Sequence, residues 1–107
     1  MSPTYDLKDF LNACRAGQNV KFWGCARRDA QRDFGAGTDK QRFRVILDAC
    51  DYPGLAFEKT AALSGRQAVM IDSYTWNRVL GRPGYVAFYR DHVGWWIKSL
   101  HESDYSQ

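Results

Sequence analysis

In YVAFYRDHVGWWIKSLH, Tyr85 to His101, two runs of alternating residues flank Asp91 and His92. Alternation with a period of two marks a half-buried β-strand, so the stretch is expected to be a hairpin. With Asp91-His92 as a two-residue turn, Arg90 faces Val93. Val86, Phe88, Trp95 and Ile97 then share one face, a set suited to a core. Tyr85, Ala87, Tyr89, Gly94, Trp96 and Lys98 share the other, with Tyr85 across from Lys98. A tyrosine beside an ammonium can lose its proton more readily, or join it in holding a phosphate. A three-residue turn or a bulge slips this register by one. His101 then joins the face of Tyr85 and Lys98 turns inward, where a charge is costly. The first register is favoured, and a bulge near the end of the second strand is the way to present His101 as well.

Working outward, the second half of the chain reads as short strands. Leu55–Ala61, Gln67–Tyr74, Gly84–Tyr89 and Val93–Leu100 are the candidates, punctuated by Gly65, Gly81, Pro83 and Gly84. The turn signal DYPG, residues 51–54, separates them from a helical first half. In DLKDFLNACRAG, Leu7, Phe10, Leu11 and Cys14 form one apolar stripe, with Thr4 or Asp6 as cap and Gly17 as the C-terminal stop. NVKFW is a strand-like run, and CARRDAQRDFG is a second helix ending at Gly35. TDKQRFRVILDAC is a third helix, capped by Thr38 or Asp39, with Phe43, Ile46, Leu47 and Cys50 on one side. Helices first and strands second imply an α+β fold, N-terminal helices packed on a C-terminal antiparallel β-sheet. The helices cover one sheet face, and the other is the natural place for a site.

The 107 residues suit a single domain, 1–107, without a linker, repeat or low-complexity tract. A hydrophobic share of 45% excludes a disordered chain, and charges interrupt every apolar run before it could span a bilayer, so no membrane partner is expected. MSPTYDLKDF lacks a basic segment followed by an apolar one, so a secretory signal is not expected. Cys14, Cys25 and Cys50 are odd in number and far apart, which suits reduced thiols in the cytoplasm better than disulfides. Lys+Arg 15 against Asp+Glu 12 is mildly basic, compatible with RNA but short of a heavily basic binder. His92 and His101 lack any ligand spacing with the acids, so no metal and no cofactor are expected.

Several marks fall in one order: YDLKDFLNACRAG, ARRDAQRDFG, FRVILDA, FEKT (Phe57 to Thr60), MIDSY (Met70 to Tyr74) and GYVAFY with the terminal hairpin. From about Thr4 to His101 this order resembles the motility quorum-sensing regulator (MqsR) toxins, small ribonucleases with a RelE-like fold. Their F-x-K-S step, W-Q-D-V-Y strand, Y-L-K-I strand and closing S-F-K strand are the matching motifs. The resemblance places Lys59 at the F-x-K lysine, Asp72 and Tyr74 in the middle strand, and Tyr85 at the tyrosine opening the next one. The terminal lysine falls at Leu100 without a gap, or at His101 when Ser99 is aligned with the family serine. Two positions depart: the middle-strand glutamine is Ile71, and the lysine after the tyrosine is Ala87.

The resemblance implies a type II toxin, a cytoplasmic mRNA interferase cleaving without a metal by attack of the ribose 2′-hydroxyl on the adjacent phosphate. Its implied partners are an mRNA substrate and a cognate antitoxin protein, with the ribosome as a further candidate. Such chemistry needs a base, cations for the phosphorane charge, and an acid for the leaving oxygen. His101 suits acid or base work near neutrality, Lys59 and Lys98 suit the phosphate charge, and Tyr85 can orient the nucleophile or move a proton. Tyr89 and Trp96 are candidates for stacking an unpaired base, and Arg27, Arg28 and Arg32 for flanking phosphates. Each has a plainer alternative: Tyr85 and Lys98 as an amphipathic strand face, Lys59 as a solvated neighbour of Glu58, the arginines as a charged helix face with Asp29 and Asp33. Two rival functions stay open. One is a catalytically silent RelE-like fold; the other is a small phage- or mobile-element-borne interaction protein exposing Trp23, Trp76, Trp95 or Trp96 to a partner.

Overall fold

Of the two caps available to the first helix, Asp6 is the one used. Its side chain accepts the Lys8 N–H at 2.9 Å and starts α1, Leu7–Ala16. The computed structural model describes residues 2–51, 54–63, 65–79 and 82–103. Gly17, at φ 65°, stops α1 in the left-handed region and returns its N–H to the carbonyls of Ala13 and Cys14. A three-residue strand, β1 (Val20–Phe22), leads into α2 (Gly24–Phe34), which Gly35 ends in the same way. Before α3 (Asp39–Asp51), Thr38 and Gln41 exchange side-chain-to-backbone bonds of 3.1 Å each, a capping box. The buried side of α3 is Arg42, Phe43, Ile46 and Ala49; Leu47 and Cys50 are only partly covered. Arg42 is tolerated there because its guanidinium pairs with Asp39 and lies over the Phe22 ring.

Four longer strands follow: β2 (Ala56–Leu63), β3 (Arg66–Val79), β4 (Arg82–Arg90) and β5 (Trp95–Glu102). The sheet order is β1-β5-β4-β3-β2, antiparallel except that β1 joins the edge parallel to β5. The α+β class with helices preceding the strands is therefore the fold, with a mixed rather than wholly antiparallel sheet. All three helices contribute to one core against the sheet: Phe10 and Leu11 from α1, Ala26 and Ala30 from α2, Phe43 and Ile46 from α3. Phe88 is its centre, stacked at 3.7 Å on Phe10 and touching the rings of Tyr74 and Trp95.

Where β1 ends, α2 takes over the exposed edge of β5. The Cys25 thiol donates to the Lys98 carbonyl at 3.4 Å, and the Glu102 N–H donates to the Asp33 carboxylate at 2.9 Å. Side chains of α2 thus satisfy backbone groups that a strand would otherwise pair, which blunts the edge.

Several expectations about the second half are corrected. The hairpin loop has four residues, Asp91–Gly94, with Arg90 opposite Trp95 rather than Val93. Asp91 closes it by accepting the N–H groups of Val93 and Gly94 and the indole N–H of Trp96. Burial opposes the charge on Asp91, but these bonds outweigh it and hold its carboxyl below the usual carboxylate range. Pro83 and Gly84 do not punctuate; they lie inside β4, where Trp76 packs onto Gly84 so closely that a Cβ there would sit 1.8 Å from the indole. Gly81 and the two central residues of the DYPG turn, 52 and 53, fall outside the described residues. Among the described residues no helix is long and apolar enough to cross a membrane.

Candidate active site

Residues paired across an antiparallel sheet share a face, so the register sets out the open side row by row. Lys59 pairs with Ser73, Ser73 with Ala87, and Ala87 with Ser99, a row of small side chains across three strands with Lys59 at its end. The next row is Thr75, Tyr85 and His101. On the far side stand Ile71 and the pair Tyr89 and Trp96. Small residues between bulky rows leave a trough, and it forms a hollow of about 240 Å³. Lys59, Tyr85 and Lys98 line it over a floor that includes Ser73, Ala87 and Ser99. Two cationic side chains and a phenol therefore share one small concavity on the side of the sheet away from the core.

A bulge brings Lys98 there. Ala87 pairs with Ser99 but Phe88 pairs with Ile97, so Lys98 is the extra residue. The inserted residue lets Ile97 and Leu100 both reach the core while Lys98 stays on the open side. Tyr85 consequently faces His101, not Lys98, which corrects the favoured register. The two rings stack at 4.9 Å between centres and 17° between planes. Both basic groups are presented, where either simple register offered only one.

Nδ1 of His101 lies 2.8 Å from the Glu102 carbonyl oxygen. A carbonyl only accepts, so Nδ1 carries the proton and Nε2 of the neutral ring is left with the lone pair. The Glu102 N–H is in turn held by Asp33, whose carboxylate also takes two bonds from Arg32, at 2.7 and 3.0 Å. The Arg32 guanidinium, above all, holds the Asp33 carboxyl below the usual carboxylate range, and the nearby His101 works in the same direction.

The remaining candidates divide. Tyr89 is buried: the Trp23 indole N–H donates to its hydroxyl at 3.1 Å and Trp96 stacks beside it at 6.4 Å, so it has no free face for a base. Trp96 is half-buried between Tyr89 and Lys21, whose ammonium sits 5.5 Å from its ring centre. Arg27, Arg28 and Arg32 are exposed on α2, and none of them lines the hollow. Arg32 is paired with Asp33 and Asp29, and Arg27 lies 4.0 Å from Asp39, the charged-helix-face alternative.

Asp72 and Tyr74, brought in by the resemblance, alternate onto the buried face instead. Asp72 accepts the N–H groups of Thr4 and Tyr5 and the Thr60 hydroxyl, tying the N-terminal segment to the sheet. Tyr74 packs on Phe88, and burial pushes its hydroxyl above the usual tyrosine range. Neither reaches the hollow. Trp76 and Trp95 are likewise core residues, not exposed anchors, while His92 is at the surface as expected.

Three participants had been given no site role from the sequence. Ser73 and Ser99 belong to the trough only once the register is known. Asp33 lies 69 positions before Glu102, whose N–H it holds, and reaches it only because α2 runs along β5. Among the described residues no group of three His, Cys, Asp or Glu side chains stands ready to hold a metal ion. A scan against family models and searches of curated proteins and of solved structures return no match for this chain.

Proposed function

We propose that this chain is a metal-independent endoribonuclease acting on single-stranded mRNA in the cytoplasm, a toxin restrained by an antitoxin protein. The observation that carries the reading is the hollow where Lys59, Tyr85 and Lys98 meet, with His101 stacked on Tyr85. A phosphodiester placed over the small-residue floor has an ammonium on either side. Nε2 of His101 takes the 2′-hydroxyl proton as that oxygen attacks phosphorus. Lys59 and Lys98 stabilise the charge gathering on the non-bridging oxygens. The bond from phosphorus to the 5′-oxygen breaks, and that oxygen takes a proton from the Tyr85 hydroxyl. The products are a 2′,3′-cyclic phosphate and a 5′-hydroxyl; His101 and Tyr85 regain their states by proton exchange with water.

A second reading, an RNA-binding module without turnover, is favoured by one feature. Ile71 and Ala87, where the toxin motifs carry glutamine and lysine, both line the hollow, so two polar groups are absent from its wall.

End-labelled single-stranded RNA incubated with the purified chain in EDTA distinguishes them. Cleavage to a cyclic phosphate, slowed about 10²–10⁴-fold by His101→Ala and comparably by Tyr85→Phe, is the expected result. Binding without cleavage transfers the assignment to the second reading; absence of both removes RNA from the account. In cells, induction is expected to arrest growth with loss of mRNA, relieved by co-expression of the neighbouring open reading frame.

A further inference from the structure

Lys98 belongs to two structures at once. It lines the hollow, and its ammonium sits 5.2 Å from the ring centre of Trp23, the residue that follows β1. Trp23 is half-buried and held in place from both ends. Its backbone N–H donates to the Ile97 carbonyl at 2.9 Å, and its indole N–H to the Tyr89 hydroxyl. The indole stands at 90° to the Tyr89 ring, so it meets that ring at an edge and does not bury a face against it. Trp96, by contrast, has Tyr89 stacked beside it and Lys21 over its ring. Trp23, partly buried against the core, thus carries over its ring the ammonium of a side chain that also lines the hollow.

Resting on the reading of the hollow as an RNA phosphodiester site, we infer that Trp23 is the stacking platform for an unpaired base next to the bound phosphate, with Lys98 as the gate between them. In the empty site the Lys98 ammonium rests on the indole, an electrostatic contact of moderate strength. A phosphate in the hollow is a stronger partner for that ammonium than a ring face. Turning toward it, Lys98 uncovers the indole beside the hollow. The base that fills the space must be unstacked from its neighbours, which selects single strands over duplex. Stacking of this kind tolerates any base, so the platform sets strand state rather than sequence.

The test compares an uncleavable single-stranded oligonucleotide, 2′-deoxy throughout, with the same backbone carrying abasic residues, by fluorescence anisotropy. The expected result is roughly 10-fold tighter binding of the base-containing strand, within the range for one stacked base. Trp23→Leu is expected to remove that preference, with abasic binding no weaker than in the wild type because Lys98 no longer has to leave an indole; Trp23→Phe, which keeps a ring, is expected to retain most of the preference. Circular dichroism melts establish whether the variants are folded, and where Trp23→Leu is not, Trp23→Gln, which keeps a donor for the Tyr89 hydroxyl but no ring, takes its place with the same expected loss of preference. A preference that survives in Trp23→Leu, or no preference in the wild type while both strands still bind, overturns the role of Trp23 and leaves the phosphate site standing. Failure of the wild type to bind either strand overturns both.

Discussion

On the helix side of the sheet, Phe88 is fully buried, stacked on Phe10 and surrounded by Tyr74 and Trp95. One residue earlier in the same strand, Ala87 points the other way, into a trough between Lys59, Tyr85 and Lys98. The buried face is filled with large rings, and the fully buried Asp72 carboxylate is met by three donors. The open face is built from small side chains with cations at the rim. A strand that alternates between the two can carry a rigid core and a concave polar surface in the same nine residues of β4. Placement of the chemistry on the open side follows from cost: an ammonium is inexpensive beside water and costly in the core.

The largest effect that would break this contrast comes from the buried side. Phe88→Ala removes the central ring and is expected to destabilise the fold by about 3–5 kcal/mol, read from urea unfolding. A loss under 1 kcal/mol would show that the ring stack is not the centre of the core.

Asp33, at the border between α2 and β5, gives an intermediate effect with a definite pH dependence. Its carboxyl is depressed in the folded chain, so its contribution is present above the ordinary carboxylate pKa and disappears as pH falls through the lower folded value. Arg32 is largely exposed, so solvent screening keeps the contribution small. Asp33→Asn is expected to lower stability at neutral pH and to flatten the decline in acid, measured as melting temperature against pH. An unchanged acid limb would remove Asp33 from the border.

The smallest effect on stability sharpens the comparison most. Lys98→Ala on the open face is expected to change unfolding free energy by no more than about 0.5 kcal/mol while weakening RNA binding. A variant that unfolds easily would mean that Lys98 supports the sheet instead of serving the hollow.

Much of this was legible beforehand. The helix stops at Gly17 and Gly35 and the core set Val86, Phe88, Trp95 and Ile97 follow from local rules of backbone geometry and periodicity, which also narrowed the caps to Thr4 or Asp6 and Thr38 or Asp39. The errors cluster where one residue of register matters. A loop of four residues in place of two, together with a bulge at Lys98, exchanged the partner of Tyr85 from Lys98 to His101. Asp72 and Tyr74, matched through the resemblance, lie on the helix side because alternation from Ser73 puts both there.

The amino-acid order alone determined the elements, their sequence along the chain and which strand residues seek the core, because period, caps and glycines act between near neighbours. Tertiary structure alone decided which side chains meet: that Lys59, Ser73, Ala87 and Ser99 form one row, that α2 delivers Asp33 to the end of β5, and that Trp23 lies under Lys98. Those meetings depend on strand register and on edge packing, which are settled by the fit of the whole sheet against its helices.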